Sequence, residues 1–396
     1  MAQKKKICVF IGSRANYSSI KSVMIAIKAD KTLELQVILG ASAVLERFGN
    51  IASLIEADGF LPDYVFYNNI EGENPVTMAK STGLGIIESS SILNNLKPDI
   101  VIIVGDRFEM MSVTIAAAYM NIKIAHTMGG EVTGTIDESI RHAITKFAHI
   151  HLVSNEDSKQ RVIKMGEMPQ NVFNVGCPRL DLVKRELFNN SDDVISNLFN
   201  NFRGVGENLD LRRGFLLVSQ HPVTTEYSKS RIQIEETLSA LEQLKLPTIM
   251  LWPNIDAGSD EISKGIRTFR EKNNPAWLHV FINLPINVYV HLMNKTLCLI
   301  GNSSSGLRDG AYIGTPVVNI GSRQNKRLRS NNVIQVDCNR ADIFKAINIQ
   351  IKNGKYPTSN IYGDGTSGVK IVKMGVQFSN PKITNHKMDR IILNEK

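Results

Sequence analysis

Unbroken runs of Val, Ile and Leu, each stopped by glycine or a small polar turn, constrain this chain more than any other feature. Lys6-Ile-Cys-Val-Phe-Ile11 closes on Gly12-Ser13-Arg14, and Asp99-Ile-Val-Ile-Ile-Val104 closes on Gly105-Asp106-Arg107. Phe215-Leu-Leu-Val218 runs into Ser219-Gln-His221, and Cys298-Leu-Ile300 into Gly301-Asn-Ser-Ser-Ser-Gly306. Strands that stay apolar instead of alternating belong to parallel sheets covered on both faces. Between them lie stretches of helical pattern, from about Tyr17 to Ala29, Phe108 to Met120, Asp137 to His149 and Ser230 to Leu244. Strand, turn, helix, strand is the repeating unit of an α/β fold.

A length of 396 residues predicts two or three domains. The helical pattern fades between Asn189 and Arg213, where Asn, Asp and Gly gather, so a linker is placed near residues 184–212. The expected units are 1–190 and 191–396. With 43% hydrophobic and 21% charged residues the chain has the makeup of a globular protein and not of a disordered or fibrous one. Its apolar runs are strand-length, too short for a membrane span. The start, Met-Ala-Gln-Lys-Lys-Lys, leads straight into a strand pattern and does not read as a secretory leader. Four scattered cysteines without CxxC spacing predict neither structural zinc nor a disulfide framework. A reduced, cytoplasmic location is the expectation. The net charge of +8 is spread out apart from Arg323–Arg329, and no basic helix, zinc finger or RNA-recognition signature accompanies it. A phosphorylated small molecule is therefore the expected partner, with no role for nucleic acid or membrane.

Every notable polar cluster sits just past a strand, where open parallel sheets bind ligands. Two such halves face each other across a cleft. Gly301–Gly306 opens a helix with small residues and free backbone N–H groups, suited to a phosphate, although Ser303 could equally be a plain N-cap. Asp309 could accept hydrogen bonds from a ribose or simply match the helix dipole. Arg14 and Arg323 follow strands of different halves and could clamp a diphosphate, or form surface ion pairs. Asp106, Glu131, Asp137, Glu138 and His142, with His221 in the other half, offer carboxylates and imidazoles for acid–base work. Asp137 and Glu138 also suit a helix start, and Arg141 could pair with Asp137 one turn on. No metal-ligand spacing and no dinucleotide fingerprint appear, so neither metal nor cofactor is expected.

The chain resembles the hydrolysing UDP-N-acetylglucosamine 2-epimerases, including the epimerase half of the bifunctional animal enzyme that begins sialic acid synthesis. The resemblance is carried by Gly12-Ser-Arg-Ala-Asn-Tyr-Ser18, Gly105-Asp-Arg-Phe-Glu109, Gly129-Gly-Glu-Val-Thr-Gly-Thr-Ile-Asp137, Ser139-Ile-Arg-His-Ala-Ile-Thr-Lys146, Gln220-His-Pro-Val-Thr-Thr225, Pro253-Asn-Ile-Asp-Ala-Gly-Ser259, Gly301-Asn-Ser-Ser304 and Ile361-Tyr-Gly-Asp-Gly365. These stretches run in order over most of the chain. The resemblance implies two Rossmann-like domains in a glycosyltransferase-B-like arrangement and a homodimer or homotetramer. It places Arg14, Ser18, Arg107, Asn254, Ser303, Ser304, Asp309 and Arg323 around the nucleotide of a UDP-sugar, and Asp106, Asp137 and His221 among the catalytic residues. The implied reaction is anti elimination of UDP to a 2-acetamidoglucal, then hydration to free N-acetylmannosamine.

The chain departs from the family pattern at several positions. Met128 stands where the motif His-Ile-Glu-Gly-Gly-Glu has its first glutamate, and a thioether carries no proton. Glu131 is the expected substitute. Asn16 stands for a common Asp, Ser42 for a common His, and Asp309 for a longer Glu. Such changes fit a related reaction on a UDP-2,4-diacetamido-2,4,6-trideoxyhexose. Two other readings of the same cleft are a glycosyltransferase and a non-catalytic nucleotide-sugar sensor.

Overall fold

The computed structural model describes residues 3–46, 51–72, 74–189, 192–253 and 256–375. The first sheet comprises β1 (Lys5–Ile11), β2 (Leu33–Leu39), β3 (Tyr64–Val65), β4 (Ile100–Val104), β5 (Lys123–Thr127), β6 (Ile150–Val153) and β7 (Val172–Asn174). Its spatial order is β3-β2-β1-β4-β5-β6-β7, and every pairing is parallel. The second comprises β8 (Gly204–Val205), β9 (Leu216–Ser219), β10 (Thr248–Leu251), β11 (Leu278–Phe281), β12 (Cys298–Gly301), β13 (Val317–Ile320) and β14 (Val333–Val336). Its order is β14-β13-β12-β9-β10-β11-β8, with β8 antiparallel to β11. The continuous apolar runs are the central strands: all five residues of β4 and all four of β9 and β12 are buried.

Strand order reverses between β1 and β4 in the first sheet and between β9 and β12 in the second. Open sheets part their flanking helices at such a reversal, and a crevice forms beyond the strand ends. The turns at those four ends are Gly12-Ser13-Arg14, Gly105-Asp106-Arg107, Gln220-His221 and Asn302-Ser303-Ser304. The helix expected from Asp137 to His149 runs Ile136–Phe147, and that from Phe108 to Met120 runs Phe108–Tyr119. A helix of 22 residues, Pro75–Leu96, left no periodic signal, because its buried face consists of Ser81, Gly85, Ser89, Ile92 and Leu93. The helix Ser367–Gly375, last in the described chain, returns to the first unit: the N–H groups of Ser367 and Gly368 donate to the Asp181 carboxylate, and Gly368 packs against the Ser22 carbonyl.

Candidate active site

The loop after β5 meets the second unit directly. Gly134 donates its N–H to the Arg323 carbonyl at 3.2 Å, and Thr225 Oγ1 donates to the Gly134 carbonyl at 3.2 Å. A Cβ at Gly134 would lie 2.0 Å from the Ser322 carbonyl oxygen, so any larger residue would force this contact apart. The approach closes a cavity of about 70 Å³, with Asp106 and Asp137 on one wall and Ser304, Arg308, Arg323 and Arg327 on the other.

The two acids differ in state. Asp106 is bonded to the fully buried Arg141 guanidinium. Arg141 also donates to the Glu131 carbonyl at 2.5 Å. The expected helix pair of Arg141 with Asp137 is thus replaced by an ion pair across the loop. Asp137 accepts from Thr135 Oγ1 at 3.0 Å. Burial, reinforced by the Asp256 carboxylate, raises its pKa above the usual range. Asp256 is itself salt-bridged to Arg107 at 2.9 Å, an ion pair that spans the two units. Burial works against its charge, but Arg107 and Arg323 overcome that and hold its carboxyl low.

Glu131, the expected substitute for the acid missing at Met128, sits in an ion-pair cluster. It is 3% exposed, and its Oε2 lies 2.5 Å from Arg308 and 3.2 Å from Arg327. Burial alone would raise its pKa, yet the two guanidiniums pull it below the ordinary value. Glu131 is thus held as a carboxylate between two guanidiniums, and its side chain faces Arg308 and Arg327. It anchors the two arginines of the cavity wall. Burial and the nearby Arg308 push Arg327 down to about 10, which marks this wall as short of negative charge.

Met128 itself is buried, with its sulfur 3.8 Å from the Cys177 thiol and its backbone at φ 59°. A left-handed methionine costs about 1–2 kcal/mol, and its methyl carbon is 3.7 Å from where a Cβ of Gly105, the residue before Asp106, would be.

On the second unit, His221 is 8% exposed, its ring Nε2 is 3.3 Å from Ser219 Oγ, and its backbone is bonded at both N–H and carbonyl to the Asn302 side chain. Burial first, then Arg323, pushes its pKa down to about 3. It is therefore a neutral imidazole that accepts a proton only in the presence of a strong acid or a nearby anion. His126, between Gly105 and Thr145, is pushed down to about 3 for the same first reason. Unfolded histidine titrates near pH 6.5. Both groups hence stabilise the fold above that value and lose the contribution as pH falls towards 3. At pH 5 the loss is about 2 kcal/mol each. The urea midpoint is expected to drop between pH 7 and pH 5, and His126→Gln should remove roughly half of that drop; an unchanged pH slope in the variant would contradict it.

The nucleotide candidates divide between two places. Ser303 Oγ caps the turn Ser304–Leu307 and sits 2.9 Å from Ser305 Oγ, while Arg323 donates to the Asn302 carbonyl at 3.1 Å. Arg14 and Ser18 instead line a larger cavity of about 280 Å³, with Pro285, Ile286 and Asn287 opposite. Arg14 and Arg323, the two expected to clamp a diphosphate, line different cavities. Burial and the neighbouring Arg179 push Arg14 down to about 10. Asp309 is fully buried and salt-bridged to Arg179 at 2.5 Å, and Arg179 donates in turn to Ser18. Its other oxygen, Oδ1, is buried without a hydrogen-bond partner. Arg107 belongs to the Asp256 and Glu109 ion pairs. Asn254 lies outside the described residues. Sequence reasoning missed Arg179, Arg308, Arg327 and Asp256; a buried arginine carries no local signal, since its partners are distant in sequence. Among the described residues, no three His, Cys, Asp or Glu side chains are grouped to hold a metal, and no helix is long and apolar enough to cross a membrane.

The two Rossmann-like units, with acids facing cations across a cleft, have a GT-B-like arrangement. The family model for UDP-N-acetylglucosamine 2-epimerase matches residues 25–374. The UDP-N,N'-diacetylbacillosamine 2-epimerase (hydrolyzing) of Legionella pneumophila is 31% identical, over 93% of this chain and 95% of that protein. The UDP-N-acetylglucosamine 2-epimerase of Neisseria meningitidis serogroup B is 27% identical, over 96% and 97%. The crystal structure of UDP-GlcNAc 2-epimerase from Neisseria meningitidis bound to UDP-GlcNAc has the same fold, with a TM-score of 0.77 at 16% identity, covering 94% of this chain and 100% of that one. The chain belongs to the UDP-N-acetylglucosamine 2-epimerase family.

Proposed function

We propose that this enzyme is a hydrolysing 2-epimerase that converts UDP-N-acetylglucosamine to N-acetylmannosamine and UDP. The observation that carries the reading is the cavity in which Asp106 and Asp137 face Arg308, Arg323 and Arg327. Abstraction of the weakly acidic C2 proton needs a fixed base, and breaking the C1–O bond needs positive charge where the diphosphate departs. The C2–H electrons form the C1=C2 bond of the glycal as the C1–O pair leaves with UDP. Water then adds its oxygen to C1 and a proton arrives at C2 from the opposite face. Asp137, with its raised pKa, suits the proton transfer to C2. Asp106, fixed by Arg141, and neutral His221 suit the opposite transfers. The larger cavity, with Arg14 and Ser18 on one side and apolar Pro285 and Ile286 on the other, suits the uridine end.

A second reading is the same reaction on a UDP-2,4-diacetamido-2,4,6-trideoxyhexose. Met128 favours it, because a thioether packed against the Cys177 thiol stands where the family pattern has a carboxylate, and a 6-deoxy sugar is the less polar ligand. The Legionella relative carries a name of this kind, as does a Campylobacter jejuni relative at 32% identity. The test is NMR in D2O with each UDP-sugar separately. Release of UDP with a free manno sugar deuterated at C2 is the expected result. Protium retained at C2 would point to direct hydrolysis at C1, and transfer only to an added acceptor would point to a glycosyltransferase. Arg14→Ala and Arg323→Ala are each expected to weaken UDP binding by about 1.5–3 kcal/mol, the scale of a hydrogen bond to a charged group. Calorimetry showing unchanged affinity in both would remove them from the site.

A further inference from the structure

An imidazole and a run of hydroxyls form one continuous chain inside the second unit. His221 Nε2 lies 3.3 Å from Ser219 Oγ. Ser219 is in turn hydrogen-bonded to the Tyr289 hydroxyl. That hydroxyl lies 2.7 Å from Ser305 Oγ, which lies 2.9 Å from Ser303 Oγ. The groups come from the end of β9, the helix Ile286–Lys295 and the turn after β12. Ser219, Tyr289 and Ser305 are each at most 8% exposed.

Packing alone would be served as well by phenylalanine at 289 and alanine at 219 and 305. A buried hydroxyl must instead find a partner or bear a desolvation penalty. Linked in series, hydroxyls can do what isolated ones do not: each accepts a proton on its oxygen while releasing its own to the next. One end of this series is the His221 ring. The other is Ser303, beside Ser304 on the wall of the cavity that holds Arg308 and Arg323. Burial, then Arg323, keeps the imidazole neutral, so a proton it accepts must be passed on. Burial also holds the Tyr289 pKa above its ordinary value, so this hydroxyl gives up a proton only as it receives one.

We propose that Ser219, Tyr289, Ser305 and Ser303 relay a proton from His221 to the departing diphosphate. The inference rests on the 2-epimerase reading above. In the elimination His221 takes the C2 proton on one ring nitrogen. The C2–H electron pair becomes the C1=C2 bond as the C1–O pair leaves on the diphosphate oxygen. The Nε2 proton passes to Ser219, and each hydroxyl hands its own proton on, through Tyr289 and Ser305 to Ser303 and then to that oxygen. The ring and the hydroxyls end neutral, as they began, and UDP leaves carrying the proton.

Tyr289→Phe keeps the ring and its packing and cuts the chain in the middle. Its single-turnover rate should fall by about 100-fold, the low end for a positioned proton-transfer group, with affinity for the UDP-sugar nearly unchanged. In mixtures of H2O and D2O the wild-type rate should bow against deuterium content, because several protons move together, and the variant should give a straight line. Ser305→Ala should match Tyr289→Phe, and the double variant should be no slower than either, as members of one network behave. Without ligand, the 15N resonance of the His221 ring, assigned by its loss in His221→Gln, should move in Tyr289→Phe. An unmoved resonance would overturn the relay. So would a normal rate in Tyr289→Phe, a straight line in the wild type or additive losses in the double variant, and each of these leaves the 2-epimerase reading standing. A wild type that turns over neither UDP-sugar would remove that reading and the relay with it.

Discussion

Asp137→Asn is expected to lower kcat by about 100- to 10,000-fold, the usual contribution of a positioned acid–base group. The substitution keeps the size of the side chain and its bond to Thr135. It removes only the capacity to take and return a proton. UDP affinity should stay nearly constant if the diphosphate sits against Ser304 and Arg323, which are untouched. The pH profile gives the sharper reading. Burial and Asp256 raise the Asp137 pKa, so the wild-type profile should contain a limb above the ordinary aspartate range. Asp137→Asn should lose that limb. Retention of full turnover in the variant would remove Asp137 from the chemistry.

Glu131→Gln should act chiefly on stability. Its carboxylate is the shared partner of Arg308 and Arg327, and all three side chains are at most 11% exposed. Neutralising it leaves two guanidiniums facing each other without a counter-ion, and breaking a buried pair in this manner costs about 3–5 kcal/mol. Urea denaturation at pH 7 should show a lower midpoint. If Glu131 serves only as the counter-ion of Arg308 and Arg327, the shape of the kcat profile against pH should be preserved. A variant of unchanged stability that loses a limb of the profile would restore Glu131 as a proton carrier. Added UDP should recover part of the lost stability if its diphosphate sits against Arg308 and Arg327, by mass action on the folded state.

Much of the architecture was legible because it is local. The runs ending at Ile11, Val104, Val218 and Ile300 are central strands, each buried on both faces, and their apolar continuity records that directly. Asp106, Arg107, His221 and Ser303 could be singled out because each follows such a run. Pro75–Leu96 was not legible as a helix, since its periodicity is carried by serine and glycine inside and by apolar residues outside. The two-residue strands β3 and β8 carry too few residues for any pattern. Arg179 lay in a stretch with no motif of its own, and its partners Ser18 and Asp309 are 161 and 130 residues away.

By itself the sequence determined the parallel sheets, the ends of their strands and the set of polar groups delivered to one crevice. Backbone propensity, apolar continuity and turn chemistry act over a few residues, and a linear pattern records them. Tertiary structure alone decided the protonation and pairing of those groups. Arg141 sits one turn from Asp137 yet bonds to Asp106, and Glu131 is claimed by Arg308 from 177 residues away. Met128 takes a left-handed backbone against Cys177. Electrostatic energy depends on through-space distance and on exclusion of water, and both are set only when the two sheets and their loops have closed on each other.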